Sequence, residues 1–130
     1  MKQPTGPTAV RPPAENANSM LQLPIRTPEL TPGPVQPRPL PLPEGVALPR
    51  PFFLVGADPI SRDWLARHQA QLAAIRAVGM LVDVATKEDL AGVTAIANGL
   101  PLLPASASDI VTALKISHIP VLISERGIEQ

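Results

Sequence analysis

The sequence predicts an α/β domain with a mostly parallel sheet, carried behind an extended proline-rich N-terminal arm. Three observations lead there. Fourteen of the 18 prolines fall within residues 1–51, and proline fixes φ and lacks the N–H that a helix or a central strand requires. From Phe52 onward, short apolar runs alternate with segments of helical pattern, the order of parallel βαβ units. The chain then closes on two short strand-like runs around a tight turn, which adds an antiparallel edge.

Each element has a local reason. Residues 1–51 form an extended arm; its first 20 residues are polar and read as disordered. In residues 21–51, apolar positions such as Leu23, Ile25, Leu30, Val35 and Leu40 punctuate the prolines, which suits a semi-rigid spacer with some local docking. The domain spans 52–130, a size that can fold alone. Phe52-Phe53-Leu54-Val55-Gly56 is a continuous apolar run that suits a strand covered on both faces. Asp58 then caps a helix whose first residue, Pro59, needs no N–H. That helix runs to about Ala77, with Leu65, His68, Leu72 and Ile75 on one stripe and Gly79 as its stop signal. Met80 to Val84 is the second strand. Thr86 and Asp89 form a capping-box pattern for a second helix, ended by Asn98-Gly99. Leu100 to Leu103 is a short edge strand between prolines. Ser106 or Ser108 caps a third helix from Asp109 to about Lys115. Pro120 to Ile123, the turn Ser124 to Gly127 and a last strand from Ile128 complete a β-α-β-α-β-α-β-β order, with right-handed crossovers.

Composition narrows the function. The formal net charge is zero, with 11 basic and 11 acidic residues. Neither arm nor domain has the positive excess that phosphate binding needs, so direct nucleic-acid binding is not expected. The absence of cysteine excludes disulfides, thiol catalysis and thiolate metal sites. No apolar run approaches the ~18 residues of a transmembrane segment. The start, Met1-Lys2-Gln3-Pro4, has no apolar stretch behind it and predicts no secretory signal. No phosphate loop, dinucleotide fingerprint or nucleophile elbow is present, and neither a cofactor nor a metal is expected.

The order strand, short helix, proline-led strand, turn and edge strand over Leu102 to Glu129 resembles the C-terminal half of a thioredoxin-like domain. In such domains a proline in the place of Pro120 is usually cis, and the loop before it presents backbone to a partner peptide. A second resemblance rests on Phe53-Leu54-Val55-Gly56-Ala57-Asp58-Pro59-Ile60-Ser61 with Trp64-Leu65, on Leu103-Pro104-Ala105-Ser106, on Ser117 to Ile123, and on the ending Gly127-Ile128-Glu129-Gln130. These are similar to a family of small proteins encoded in bacterial integrating conjugative elements, which carries a domain of unknown function. That likeness implies a part in DNA transfer through a type IV secretion apparatus and export to the periplasm, with the cytoplasm as runner-up. More distantly, the chain resembles TrbC-type pilus assembly proteins, whose thioredoxin-like domain lacks reactive cysteines.

The expected site is a protein-interaction face built from Gly56, Ala57 and Asp58 with Ser117, His118, Ile119 and Pro120. Thioredoxin architecture without thiols points to binding in place of catalysis. The last strand begins close to Gln130, so its edge is free for a partner or for the chain's own arm. Alternatives remain open: a transient assembly chaperone, or a small hydrolase or transferase using Asp58 and Asp83 beyond the carboxyl ends of the strands. Asp58 also serves as a helix cap, and His68 and His118 suit half-buried structural positions. Arg38-Pro39-Leu40-Pro41-Leu42-Pro43 resembles a polyproline ligand for an aromatic-lined groove.

Overall fold

A computed structural model describes residues 23–40 and 50–130. Among them the elements are β1 (Thr31–Pro32), β2 (Phe52–Gly56), α1 (Pro59–Ala74), β3 (Val78–Asp83), α2 (Lys87–Ala97), β4 (Leu102–Pro104), α3 (Ser108–Leu114), β5 (His118–Ile119), β6 (Val121–Ser124) and β7 (Gly127–Glu129). The expected α/β class and mixed sheet are present. Five strands lie in the order β4-β3-β2-β6-β7. The strands β2, β3 and β4 run parallel, and β6 and β7 add antiparallel pairs.

The alternation of side chains along β2 separates two cores. Phe53 and Val55 face a cluster with Trp64, Leu65 and Leu72 of α1, Leu81 and Val84, and Val93 and Ala97 of α2. Leu54 faces the opposite cluster, with Val82, Val111, Ile116, Ile119, Ile123, Ile128 and the arm's Leu30. A strand covered on both faces needs an unbroken apolar run, and Phe52 to Val55 provides it.

Several boundaries differ from the sequence expectation, each for a visible reason. Helix α1 ends at Ala74, and the chain reverses through Arg76 in the left-handed region at φ 58°. Gly79 is therefore not the stop. It sits inside β3, where an added Cβ would lie 2.3 Å from Cζ of Phe53, so the small residue makes room for an aromatic ring. His68 is half-buried and stacks against Trp64 with ring centroids 5.0 Å apart, while Ile75 is exposed. The cap of α3 is Ala107, not a serine. Helix α2 does follow its capping pattern: Thr86 Oγ1 accepts from the Asp89 amide at 3.1 Å. The Asp89 carboxylate turns instead to Arg62, 3.2 Å away.

Gly79→Ala is expected to destabilise the protein by about 1–3 kcal/mol through overpacking against Phe53. Urea denaturation with an unchanged m-value reads the loss; stability equal to the native protein would show that the β2–β3 pair has slack.

Candidate protein-interaction face

The residues singled out from sequence meet at one end of the sheet. Asp58 caps α1, its Oδ2 accepting from the Ser61 amide at 2.8 Å. Ser61 is fully buried, and its hydroxyl accepts from the Gly56 amide at 3.0 Å. A strand end and a helix start are thus tied through one serine. Gly56 has no space for a side chain: a Cβ there would meet Asp58 Oδ1 at 2.7 Å and Ile119 Cδ1 at 3.0 Å. That approach brings the Gly56-Ala57-Asp58 turn against β5. The Ile119–Pro120 bond is cis. Ile119 and Pro120 are buried, while Ser117 and His118 are exposed.

The expected loop does hold an extended peptide, and the peptide is the chain's own arm. Strand β1 pairs parallel with β5, Thr31 opposite His118 and Pro32 opposite Ile119. The Thr31 amide donates to Ser117 O at 3.1 Å, and the Gly33 amide to Ile119 O at 3.0 Å. Nδ1 of His118 lies 3.1 Å from Thr31 Oγ1. Two isolated bridges bracket this contact. Ile25 exchanges both main-chain bonds with Val84, and Arg38 does so with Ile128 of β7. The last edge is occupied by the arm, which was one of its two expected occupants.

Side chains lock the arm at four further points. Thr27 is buried, and its hydroxyl donates to Val82 O at 2.8 Å while accepting from the Ala107 amide at 3.1 Å. One hydroxyl therefore serves the second core strand and the cap of α3 together. Glu29 accepts from the Ser108 hydroxyl at 2.8 Å. Arg38 donates to Leu114 O and Lys115 O at the C-terminus of α3, where a cation meets the negative end of the helix. Its guanidinium is thus engaged, so the motif starting at Arg38 does not present a free arginine; residues 41–43 lie outside the described residues. Gln130 Nε2 spans Gly33 O and Pro120 O at 2.8 and 2.9 Å. Gly127, at φ 134°, allows the approach of Arg38 O, which would lie 2.4 Å from a Cβ.

Two clefts flank the arm. One, of about 240 Å³, is lined by Asp58, Asp83, Asp89 and Arg26; there Arg26 Nη1 donates to Asp83 Oδ1 at 2.9 Å. The other, of about 230 Å³, is lined by Arg38, Lys115 and His118. Asp58 and Asp83 share a cleft, yet each carboxylate already has a partner. Among the described residues, no three histidine or acidic side chains converge as a metal site would need, and no helix is long and apolar enough to cross a membrane. The structural roles of Thr27, Ser61 and Gln130 had no local signal in the sequence, while Arg38 read only as the head of a polyproline motif and Gly127 only as a turn residue.

Residues 2–128 match the family described as protein of unknown function, DUF2859. No curated protein and no solved structure matches the chain.

Thr27→Val keeps the side-chain volume and removes the hydroxyl. It leaves Ala107 N–H and Val82 C=O without that partner, at an expected cost of about 1–3 kcal/mol. Thr27→Ser should retain most of the stability in thermal or urea unfolding. Native-like stability of Thr27→Val, with the loss confined to Thr27→Ser, would assign the effect to the methyl group.

Proposed function

We propose that this chain, which belongs to the DUF2859 family, is a non-enzymatic protein-interaction module of a conjugative secretion apparatus, working in the periplasm. The observation that carries the interaction role is the loop from Ser117 to Ile119, which holds an extended segment by main-chain bonds. Pairing of this kind gives affinity through backbone and leaves specificity to the flanking side chains. Those flanks differ in character, with Asp58, Asp83 and Asp89 around Arg26 of the arm on one side and Arg38, Lys115 and His118 on the other. A partner with a complementary charge order would be held in one orientation. The likeness of Phe53 to Ser61 and Ser117 to Ile123 to small proteins of integrating conjugative elements supports the setting. The lack of cysteine leaves a thioredoxin-like arrangement only its binding capacity.

Asp58 and Asp83 have structural work that accounts for their positions. Asp58 holds the first turn of α1, and Asp83 pairs with Arg26 of the arm. The pair is 52% and 42% exposed, so its contribution is that of a surface ion pair, up to about 1 kcal/mol.

Two experiments test this proposal. Asp83→Ala should lower stability by no more than about 1 kcal/mol in urea unfolding and leave conjugative transfer within a few-fold of native; abolished transfer by a stably folded protein would favour a chemical role for Asp83. A photo-crosslinking residue at Ser117 or His118 should capture another component during mating, whereas the same residue at exposed Ala91 of α2 should not. Capture at Ala91 alone, or no capture in cells that still transfer DNA, would remove the basis for this face.

A further inference from the structure

We infer that the prolines of the arm are phased around its paired residues: the residues beside the amides that it gives to the domain are mostly prolines, with no N–H to turn outward. Four arm residues donate their N–H to the domain. Ile25 reaches Val84 O at 2.8 Å, Thr31 reaches Ser117 O at 3.1 Å, Gly33 reaches Ile119 O at 3.0 Å, and Arg38 reaches Ile128 O at 3.0 Å. In an extended chain, successive residues aim their N–H and C=O groups to opposite sides. In extended stretches the N–H positions of the neighbours of these four residues therefore point away from the domain. Those neighbours are Pro24 and Arg26, Leu30 and Pro32, Pro34, and Pro37 and Pro39.

All but two of those neighbours are prolines, which have no N–H to offer. Of the two, Leu30 spends its amide within a turn, on Thr27 O at 3.0 Å. Pro28 occupies the second position of that turn, where its fixed φ is favourable. Arg26 is left as the one outward donor among these neighbours. No proline between residues 23 and 40 stands where the domain takes a main-chain donor.

Proline on an exposed edge is a recognised defence against further strand pairing. Here the defence has a specific consequence. A strand of another chain finds no main-chain donor on the outer side of the arm at Pro32, Pro34, Pro37 or Pro39. It can pair with β5 or β7 only by taking the arm's place. The unmasked outer edge would be used by another copy of this chain, since the same sequence meets the same edge across a two-fold axis.

The test uses the full chain and hydrogen exchange with sedimentation. In the native protein, the amides of Ile25, Thr31, Gly33 and Arg38 should be protected as a set, and that of Arg26 should exchange like an open chain. A variant carrying P32T, P37T and P39T restores three outward donors. It should keep the inward set protected and self-associate at about tenfold lower concentration than native, the equivalent of one to two net hydrogen bonds. P37T alone should show a smaller shift in the same direction. T31P, which removes an inward donor, should lose protection at Gly33 without gaining association. Protection of the Arg26 amide in the native chain, or an unchanged association profile for both outward variants, would overturn the inference.

Discussion

Main-chain pairing between the arm and the ends of the strands is the contact on which the remaining architecture depends. A domain of residues 52–130 has a modest core, and its second hydrophobic cluster is incomplete without the arm's Leu30. The domain exposes backbone that needs partners, at Val84, Ser117 and Ile119 and, on the edge strand, at Ile128. The arm supplies those partners through four amides. It also brings Thr27, whose single hydroxyl joins β3 to the start of α3. Helix α3 is only seven residues long and has no side-chain cap of its own. It is held at one end through Thr27 and Glu29, and at the other through Arg38. Removing the arm would therefore loosen the helix and the loop that follows it, which carries the proposed interaction face.

The domain was legible in the sequence because its signals are local. Apolar runs, Asp58 before Pro59, Thr86 before Asp89, and Asn98-Gly99 each act within a few residues of where they stand. The misplaced features depended on partners distant in sequence. Gly79 reads as a helix stop until Phe53 lies across it. Ser106 and Ser108 read as caps until Thr27, about 80 residues upstream, takes the Ala107 amide. Of the site, Gly56 to Asp58 and Ser117 to Pro120 were legible as neighbours from the order of strands. Their occupant was not. A segment rich in proline looks alike whether it is a spacer or a docked strap. The spacing of its prolines acquires meaning only when the residues between them are matched to acceptors on the domain.

Charge follows the same logic. The chain is neutral overall, yet the arm divides the face into an acidic side and a basic side. Arg26 and Arg38 both belong to the arm, and each leans to a different side of it: one to the carboxylate of Asp83, one to the carbonyls that end α3. The arm is thus both a cover and a contributor to the surface that a partner would meet. A partner that displaced it would remove both arginines from the face and leave Asp83 without that ion pair.

This places a limit on how strand exchange at the face could work. An arm carried by the same chain competes at an effective concentration on the order of millimolar. A free peptide offering only the same main-chain bonds could not displace it at cellular concentrations. A successful partner needs contacts that the arm does not make. The flanking clefts are the places where such contacts are available, and their opposite charges mean that one orientation of the incoming strand gains on both sides while the reverse loses on both. Selectivity at the proposed face would therefore come less from the pairing itself, which any extended chain can imitate, than from the demand that the newcomer exceed a resident segment already fitted to the same acceptors.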